Sequence, residues 1–357
     1  MSLQPRAYRA FFATVGAGCV LATAACGGGG KHAATTSTPA APTSSASSTS
    51  SSSAPPPAPA AVNPLTGEGP VPKLPVIAVK IDDTAPGRPQ LGIDKADVVY
   101  IEAVEGGLTR LAAIYASNHP TAVGYVRSTR PSDPDLLLQY GKITEAYSGG
   151  AHDSLPLVYH SGIRSWSNDA GSPYYSRISR YQSSYINLAL NVAKVAAAAH
   201  TALVHSIGWT FNPSLAGITT LPGLDMRTVV TGSYTNGTPV EFRYDAKIGK
   251  YIRYIDGVAQ HAADGQLVTA TNVIVQSCTV VAHPQDTDVN GNPAQFTYTV
   301  GSGSVSVFRQ GKRINGTWKR ANTATGTSLI GPNGQAIPLD PGNTWVVLIR
   351  KGIPVNS

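Results

Sequence analysis

Apolar residues in the first half of the chain recur in short runs that end at charged or glycine-rich steps. Residues 76–81 form one such run and stop at Asp82-Asp83, which predicts a strand with two acids at its tip. Residues 96–105 and 111–117 read as two more strands joined through Gly106-Gly107, the pattern of a hairpin. Residues 123–126 and 143–147 supply a fourth and a fifth. Helices are predicted over 135–140 and over the alanine-rich stretch 184–202, where Ile186, Leu190 and Val195 fall near helical spacing. Residues 63–226 therefore read as a mixed α/β domain.

From residue 227 the pattern changes. Asn236-Gly237, Asp256-Gly257, Asp264-Gly265, Asn290-Gly291, Asn315-Gly316 and Asn333-Gly334 are two-residue turn signals, because Asn, Asp and Gly reach positive φ at little cost. Between them lie β-rich runs at 273–276, 295–300, 305–309 and 345–349. Residues 227–357 thus read as an antiparallel, mostly β domain, and the expected class of the whole chain is α+β.

The N-terminus has a different pattern. Arg6 and Arg9 precede an uncharged apolar run over 11–25, small residues Thr23-Ala24-Ala25 lead into Cys26, and four glycines follow. That order predicts a secretory signal over residues 1–25 that ends at a cysteine suited to lipidation. Cleavage after Ala24 to release a soluble secreted protein is the alternative. The apolar run is shorter than the ~20 residues of a spanning helix. Residues 26–62 then form a tether: 33–61 are all Ala, Ser, Thr or Pro, which cannot bury a core and predicts a disordered linker. The expected location is extracytoplasmic, anchored to the cell membrane by lipid.

Charge and cysteines narrow the function classes. The formal net charge of +7 loses Arg6 and Arg9 on processing, leaving 7 − 2 = +5. That excess is diffuse, with no Lys/Arg cluster interleaved with aromatics, so nucleic acid is not an expected partner. Of the three cysteines, Cys19 leaves with the signal and Cys26 takes the lipid. Cys278 sits in a strand-like run and reads as a buried, inert thiol.

Candidate chemistry centres on Arg127 and Arg130 after the fourth strand, with Asp133 and Asp135 behind them and Asp82-Asp83 at the tip of the first. Guanidinium forks match phosphate or carboxylate oxygens, and nearby acids suit a divalent ion such as Mg²⁺. The alternative is a buried Arg–Asp network that fixes loops. Arg88 and Arg110 belong to the same candidate ligand-binding set. Glu102 and Glu105 flank the hairpin and are expected to pair with Arg110. Asp286, Asp288 and Asn290 match the first half of a Ca²⁺ loop, although its twelfth position is Thr297 and the plain turn is the competing reading. The aromatic and basic stretch 159–185 suits either sugar stacking or a loop over the sheet. No zinc-protease histidine spacing, nucleophile elbow or phosphate loop occurs.

Several ordered motifs resemble one family. Residues 76–83, Arg88-Pro89-Gln90-Leu91-Gly92-Ile93, 96–100, Glu105-Gly106-Gly107-Leu108-Thr109-Arg110 and 124–130 are similar to the opening of the YerB-like lipoproteins. Residues 242–245, 251–253, 272–276, 316–320 and 341–345 are similar to that family's C-terminal domain. The resemblance covers nearly all of 63–350 and implies an envelope lipoprotein carrying a domain of unknown function. One departure stands out: the family's Pro-His-Asn step is absent from Arg180-Tyr181-Gln182-Ser183-Ser184-Tyr185. Segments 96–99, 126–130 and 142–150 more loosely resemble LytR–CpsA–Psr transferases, which implies arginines on a polyprenyl pyrophosphate and acids on Mg²⁺. The expected function is a binding or assembly module for an anionic envelope ligand or an envelope protein. The alternative is a metal-dependent transferase acting on polyprenyl-pyrophosphate-linked glycans.

Overall fold

The computed structural model describes residues 61–178, 186–232 and 237–357. The signal, Cys26 and nearly all of the tether lie outside the described residues. Strand dominates both halves. In the first half, helices Asp133–Leu137, Ser154–Ser161 and Val192–Ala198 are the α-helices among the described residues, and all are short. The structure is mostly β with few helices: the second region is β-rich as expected, while the first holds less helix than the mixed α/β domain expected of it.

One large sheet runs through both regions. Its main order is Ser328–Ile330, Lys312–Arg320, Gly301–Arg309, Asn272–Thr287, Thr344–Arg350, Val98–Ala103, Thr109–Tyr115, Ile77–Asp82, Thr144–Tyr147 and Arg164–Ser167. The strand Thr344–Arg350 inserts between Asn272–Thr287 and Val98–Ala103 and runs parallel to both. Its continuous apolar core, Trp345 to Ile349, is what a strand covered on both faces requires. The second region is otherwise built from antiparallel pairs, so this parallel strand is its departure from the expected pattern.

Val98–Ala103 and Thr109–Tyr115 form the expected hairpin around Glu105–Gly107. The predicted helix at 135–140 appears as Asp133–Leu137 followed by a 3₁₀ turn, Leu138–Tyr140. The stretch 184–202 differs from its prediction, and residues 184 and 185 lie outside the described part. Leu188–Leu190 is a strand paired with Val123–Gly124 and Tyr175–Arg177, and a helix begins only at Val192. Asn191 sets that boundary: its side chain accepts from the Lys194 amide at 2.9 Å and caps the helix.

Turn chemistry is also context-dependent. Asp256-Gly257 makes its hairpin with both residues at positive φ. Asn315-Gly316 instead lies inside the strand Lys312–Arg320, where a Cβ on Gly316 would stand 2.2 Å from the Ile330 carbonyl oxygen. Gln310-Gly311 makes the reversal there.

A second sheet, Asp225–Val229, Pro239–Asp245, Lys250–Ile255 and Val258–Ala259, packs on the large one. Phe242 meets Trp345 edge-on at 5.5 Å, and the Arg253 guanidinium lies 5.1 Å from the Trp345 ring. Arg253 Nη2 donates to both carboxylate oxygens of Asp83 at 2.9 and 2.8 Å, with both residues buried. Removing one partner of such a pair strands a charge. Arg253→Ala is expected to lower unfolding free energy by about 3–5 kcal/mol, and the double change Arg253→Met with Asp83→Asn by much less. Urea denaturation of both variants checks this; equal losses would show that the ion pair is not what matters.

Candidate functional site

The site begins with alternation in the strand Ile77–Asp82. Successive side chains point to opposite faces, so Lys80 and Asp82 share one face and Asp83 lies on the other. Register extends the polar face: Asp82 stands opposite Arg110, Arg110 opposite Glu102, and Ala78 opposite Glu145. The helix Asp133–Leu137 and the loop 127–130 cover it.

Lys80 is completely buried. Its Nζ donates to Asp133 Oδ1 at 2.7 Å and to Glu102 Oε1. Burial alone depresses the ammonium's pKa, but Asp133, Glu102 and Glu145 outweigh it and hold it above the ordinary lysine value. Burial and the neighbouring Asp133 push the Glu102 carboxyl up to about 7 against the pull of Lys80. The same two causes hold Glu145 well above the glutamate range. Glu102 Oε2 and Glu145 Oε2 are buried and accept no hydrogen bond. The Thr129 hydroxyl lies 3.0 Å from Asp133 Oδ2 and 2.8 Å from Glu145 Oε1, and the Arg130 amide donates to Asp133 Oδ2 at 2.6 Å.

Asp82 gathers the arginines. It accepts from Arg110 Nη1 at 2.7 Å and from the Thr84 amide at 2.7 Å, and lies 3.2 Å from Arg127 Nε. Burial opposes its ionisation, but Arg110, Thr84 and Arg127 outweigh burial and hold it below the usual aspartate value. Burial, with Arg130 and Arg127 close by, lowers the Arg110 guanidinium to about 10. Arg130 Nη2 donates to Glu105 Oε2 at 2.9 Å. Glu102 and Glu105 therefore take Lys80 and Arg130 as cationic partners, and Arg110 goes to Asp82. Arg88 donates to the Asp83 carbonyl on the other side of the strand.

These residues lie beside an open cleft of about 680 Å³ lined by Arg127, Ser128, Ser148, Gly149, Asp169 and Arg177, with Val126, Leu188 and Val289 as apolar walls. Its position follows from the sheet. Ile77–Asp82, Thr144–Tyr147 and Arg164–Ser167 run parallel, and the cleft opens at their carboxyl ends, where α/β sheets place ligands. There the strands part, and residues 125–129 fill the gap. The Arg127 amide donates to the Lys80 carbonyl, the Ser148 amide to the Arg127 carbonyl and the Thr129 amide to the Gly149 carbonyl, each at 3.0 Å. The sequence reading found Arg127 and held Arg177 within the aromatic and basic stretch 159–185, but missed Ser128, Ser148 and Asp169. It also missed Lys80 and Glu145, which sit in fully buried strands; period-two alternation with Asp82 was the available signal for Lys80.

The candidate Ca²⁺ ligands are not brought together. Asp286 accepts from the amides of Asp153 and Ser154 and from the Ser154 hydroxyl, so it caps the helix Ser154–Ser161 from a distant strand. The Asp288 carboxylate accepts from Asn290 and Asn292 within its own turn. Among the described residues, no three His, Cys, Asp or Glu side chains form a group that could hold a metal ion. Cys278 is buried, which pushes its thiol up to about 12. Within the aromatic stretch, Trp166 stacks on Tyr174; Tyr181, Tyr185 and Arg180 lie outside the described residues.

The carboxyls give a pH dependence of stability with a definite sign. Glu102 and Glu145 keep protons in the folded chain at pH values where the unfolded chain has released them. Unfolding free energy is therefore expected to fall by about 1–3 kcal/mol as pH rises from about 5 to about 7. Asp82 acts oppositely, its contribution being lost only as pH falls below the ordinary aspartate value. Denaturation across this range, beside Glu102→Gln, should show a slope that the variant flattens. A stability that rises with pH would contradict the assignment.

Comparison with known proteins agrees with this architecture. The N-terminal domain model of the protein of unknown function DUF3048 matches residues 65–205, and its C-terminal domain model matches 229–346. YerB, a candidate lipoprotein of Bacillus subtilis (strain 168), is 27% identical over 303 residues, spanning 80% of this chain and 85% of that protein. The crystal structure of the Bacillus subtilis YerB protein matches with a TM-score of 0.69 at 21% identity, covering 83% of this chain and 100% of that one, a likeness of fold. With both domain models matched in order along one shared sheet, the chain belongs to the DUF3048 family.

Proposed function

We propose that the chain is an extracytoplasmic, lipid-anchored protein that binds an anionic group of an envelope ligand in the Arg127 cleft. The carrying observation is the crowding of Arg110, Arg127 and Arg130 at the carboxyl end of one strand, beside an opening that Arg127 reaches. Arg130 and Arg127 both depress the Arg110 pKa, which is the signature of cations held close together. The Nε atoms of Arg110 and Arg130 are buried without a hydrogen-bond partner. Arg127 keeps a quarter of its side chain exposed, and Arg177, Ser128 and Ser148 add donors around the same volume. The field of the three guanidiniums favours a negative ligand, while Arg127 and the hydroxyls supply direct bonds. The family resemblance and the signal-like N-terminus support the location.

Titration of the full chain with sulfate and with pyrophosphate tests the reading. Each charge-assisted hydrogen bond is worth about 1.5–3 kcal/mol, so Arg127→Ala is expected to weaken binding by about 10–100-fold. Arg177→Ala should weaken it less, since that side chain lies on the rim strand Tyr175–Arg177. A folded wild type that binds neither anion would rule the site out.

A further inference from the structure

The loop that carries Arg127 rests on a buried cluster whose hydrogen bonds call for a proton on a carboxyl. The Thr129 hydroxyl has one hydrogen but lies within bonding distance of two carboxylates, Asp133 at 3.0 Å and Glu145 at 2.8 Å. It can donate to only one of them. The other contact needs a second hydrogen, and Asp133 already accepts from Lys80 Nζ and the Arg130 amide. Glu145 has no such donor, and its second oxygen is buried and unpartnered. A proton on Glu145 supplies that hydrogen, given either to the Asp133 carboxylate beside it while Thr129 donates to Glu145, or to Thr129 while Thr129 donates to Asp133.

We propose that Glu145 is a proton-linked support for the loop 127–130, so that the anion affinity of the cleft rises when Glu145 holds its proton. This inference rests on the anion-binding reading of the cleft. Loss of the proton sets a second anion beside Asp133, with only the ammonium of Lys80 to offset the pair, in a site closed to water. It also leaves Thr129 between two anions. Both effects act on residues directly bonded to the cleft lining: Thr129 follows Ser128, and its amide holds the Gly149 carbonyl. An added negative charge beneath the cleft also repels an incoming anion.

The titratable and charged groups facing Glu145 and its partners are few. Lys80 comes from the strand Ile77–Asp82, Glu102 from Val98–Ala103, Asp133 from the covering helix and Arg130 from the loop. Tyr147 and Tyr175 approach from their strands, and both phenols are held above the ordinary tyrosine value, first by burial, so they stay neutral through this range. Burial and Asp133 raise Glu145 well above the glutamate range, in agreement with the hydrogen count.

Sulfate stays a dianion from mildly acidic to mildly basic solution and is the probe. For the full chain, its affinity is expected to tighten by about tenfold between pH 8 and pH 5.5. Glu145→Gln, which retains a donor and stays neutral, should bind at both pH values as tightly as the wild type does at the lower one. The same slope in variant and wild type would overturn the proposal. Amide NMR shifts of residues 127–130 in the unliganded wild type and in Glu145→Gln give a second readout that needs no ligand. If they do not move with pH, the proposal fails. If they titrate in the wild type and not in Glu145→Gln but sulfate binds at neither pH, the proton-linked support stands and the anion reading falls; a titration that persists in the variant belongs to Glu102 and overturns the proposal.

Discussion

The Lys80 ammonium sits in a strand with no access to water, and that constraint organises the fold around it. Taking such an ion out of water costs several kcal/mol even after relaxation, and only close, correctly placed partners offset it. The partners come from separated parts of the chain: Glu102 from a neighbouring hairpin, Asp133 from the start of a helix, and Glu145 from the next parallel strand. A one-residue slip of Ile77–Asp82 would move Lys80 to the opposite face, among apolar side chains, and Asp83 away from Arg253. The ion network therefore penalises a slipped register, a use of buried charge attested in other folds.

The adjacent acids Asp82 and Asp83 extend this logic to both faces. Asp82 holds Arg110 and Arg127 on the cleft side. Asp83 holds Arg253 and the Thr109 hydroxyl on the side covered by the second sheet. One dipeptide thus ties the candidate site to the packing between the two matched regions. The parallel strand Thr344–Arg350 completes the tie by hydrogen-bonding to a strand from each region.

How much of this could be read in advance follows from which interactions are local. The strands and the Glu105–Gly107 hairpin were legible because alternation and glycine chemistry act over a few residues. Arg127, Arg130 and the acid pair stood out for the same reason. What stayed hidden depends on distant partners. Asp286 sits in a convincing calcium-like spacing, yet its carboxylate goes to a helix start more than 130 positions away. Asn315-Gly316 has the composition of a turn, but its glycine is needed because the Ile330 carbonyl approaches it within a strand. Alanine-rich 184–202 has helical composition, but pairing of Leu188–Leu190 with two other strands and the Asn191 cap displace the helix start. Propensity is a weak prior, and pairing overrides it.

The same contrast separates the two arginines that composition alone could not distinguish. Arg130 is turned inward to Glu105, whereas Arg127 is held between the Lys80 carbonyl, the Ser148 amide and Asp82, with part of its side chain open. In the binding reading this difference matters for affinity. An arginine free on a surface must give up rotamer freedom when it captures an anion, at about 0.5–1.5 kcal/mol per immobilised side chain. Arg127 has its backbone bonded to two strands and its Nε directed at a buried carboxylate, so much of that ordering is complete before a ligand arrives. Asp82 weakens the field it presents but fixes its direction. An anion in the cleft then meets an oriented donor, whose position depends on the buried lysine and carboxyls beneath it.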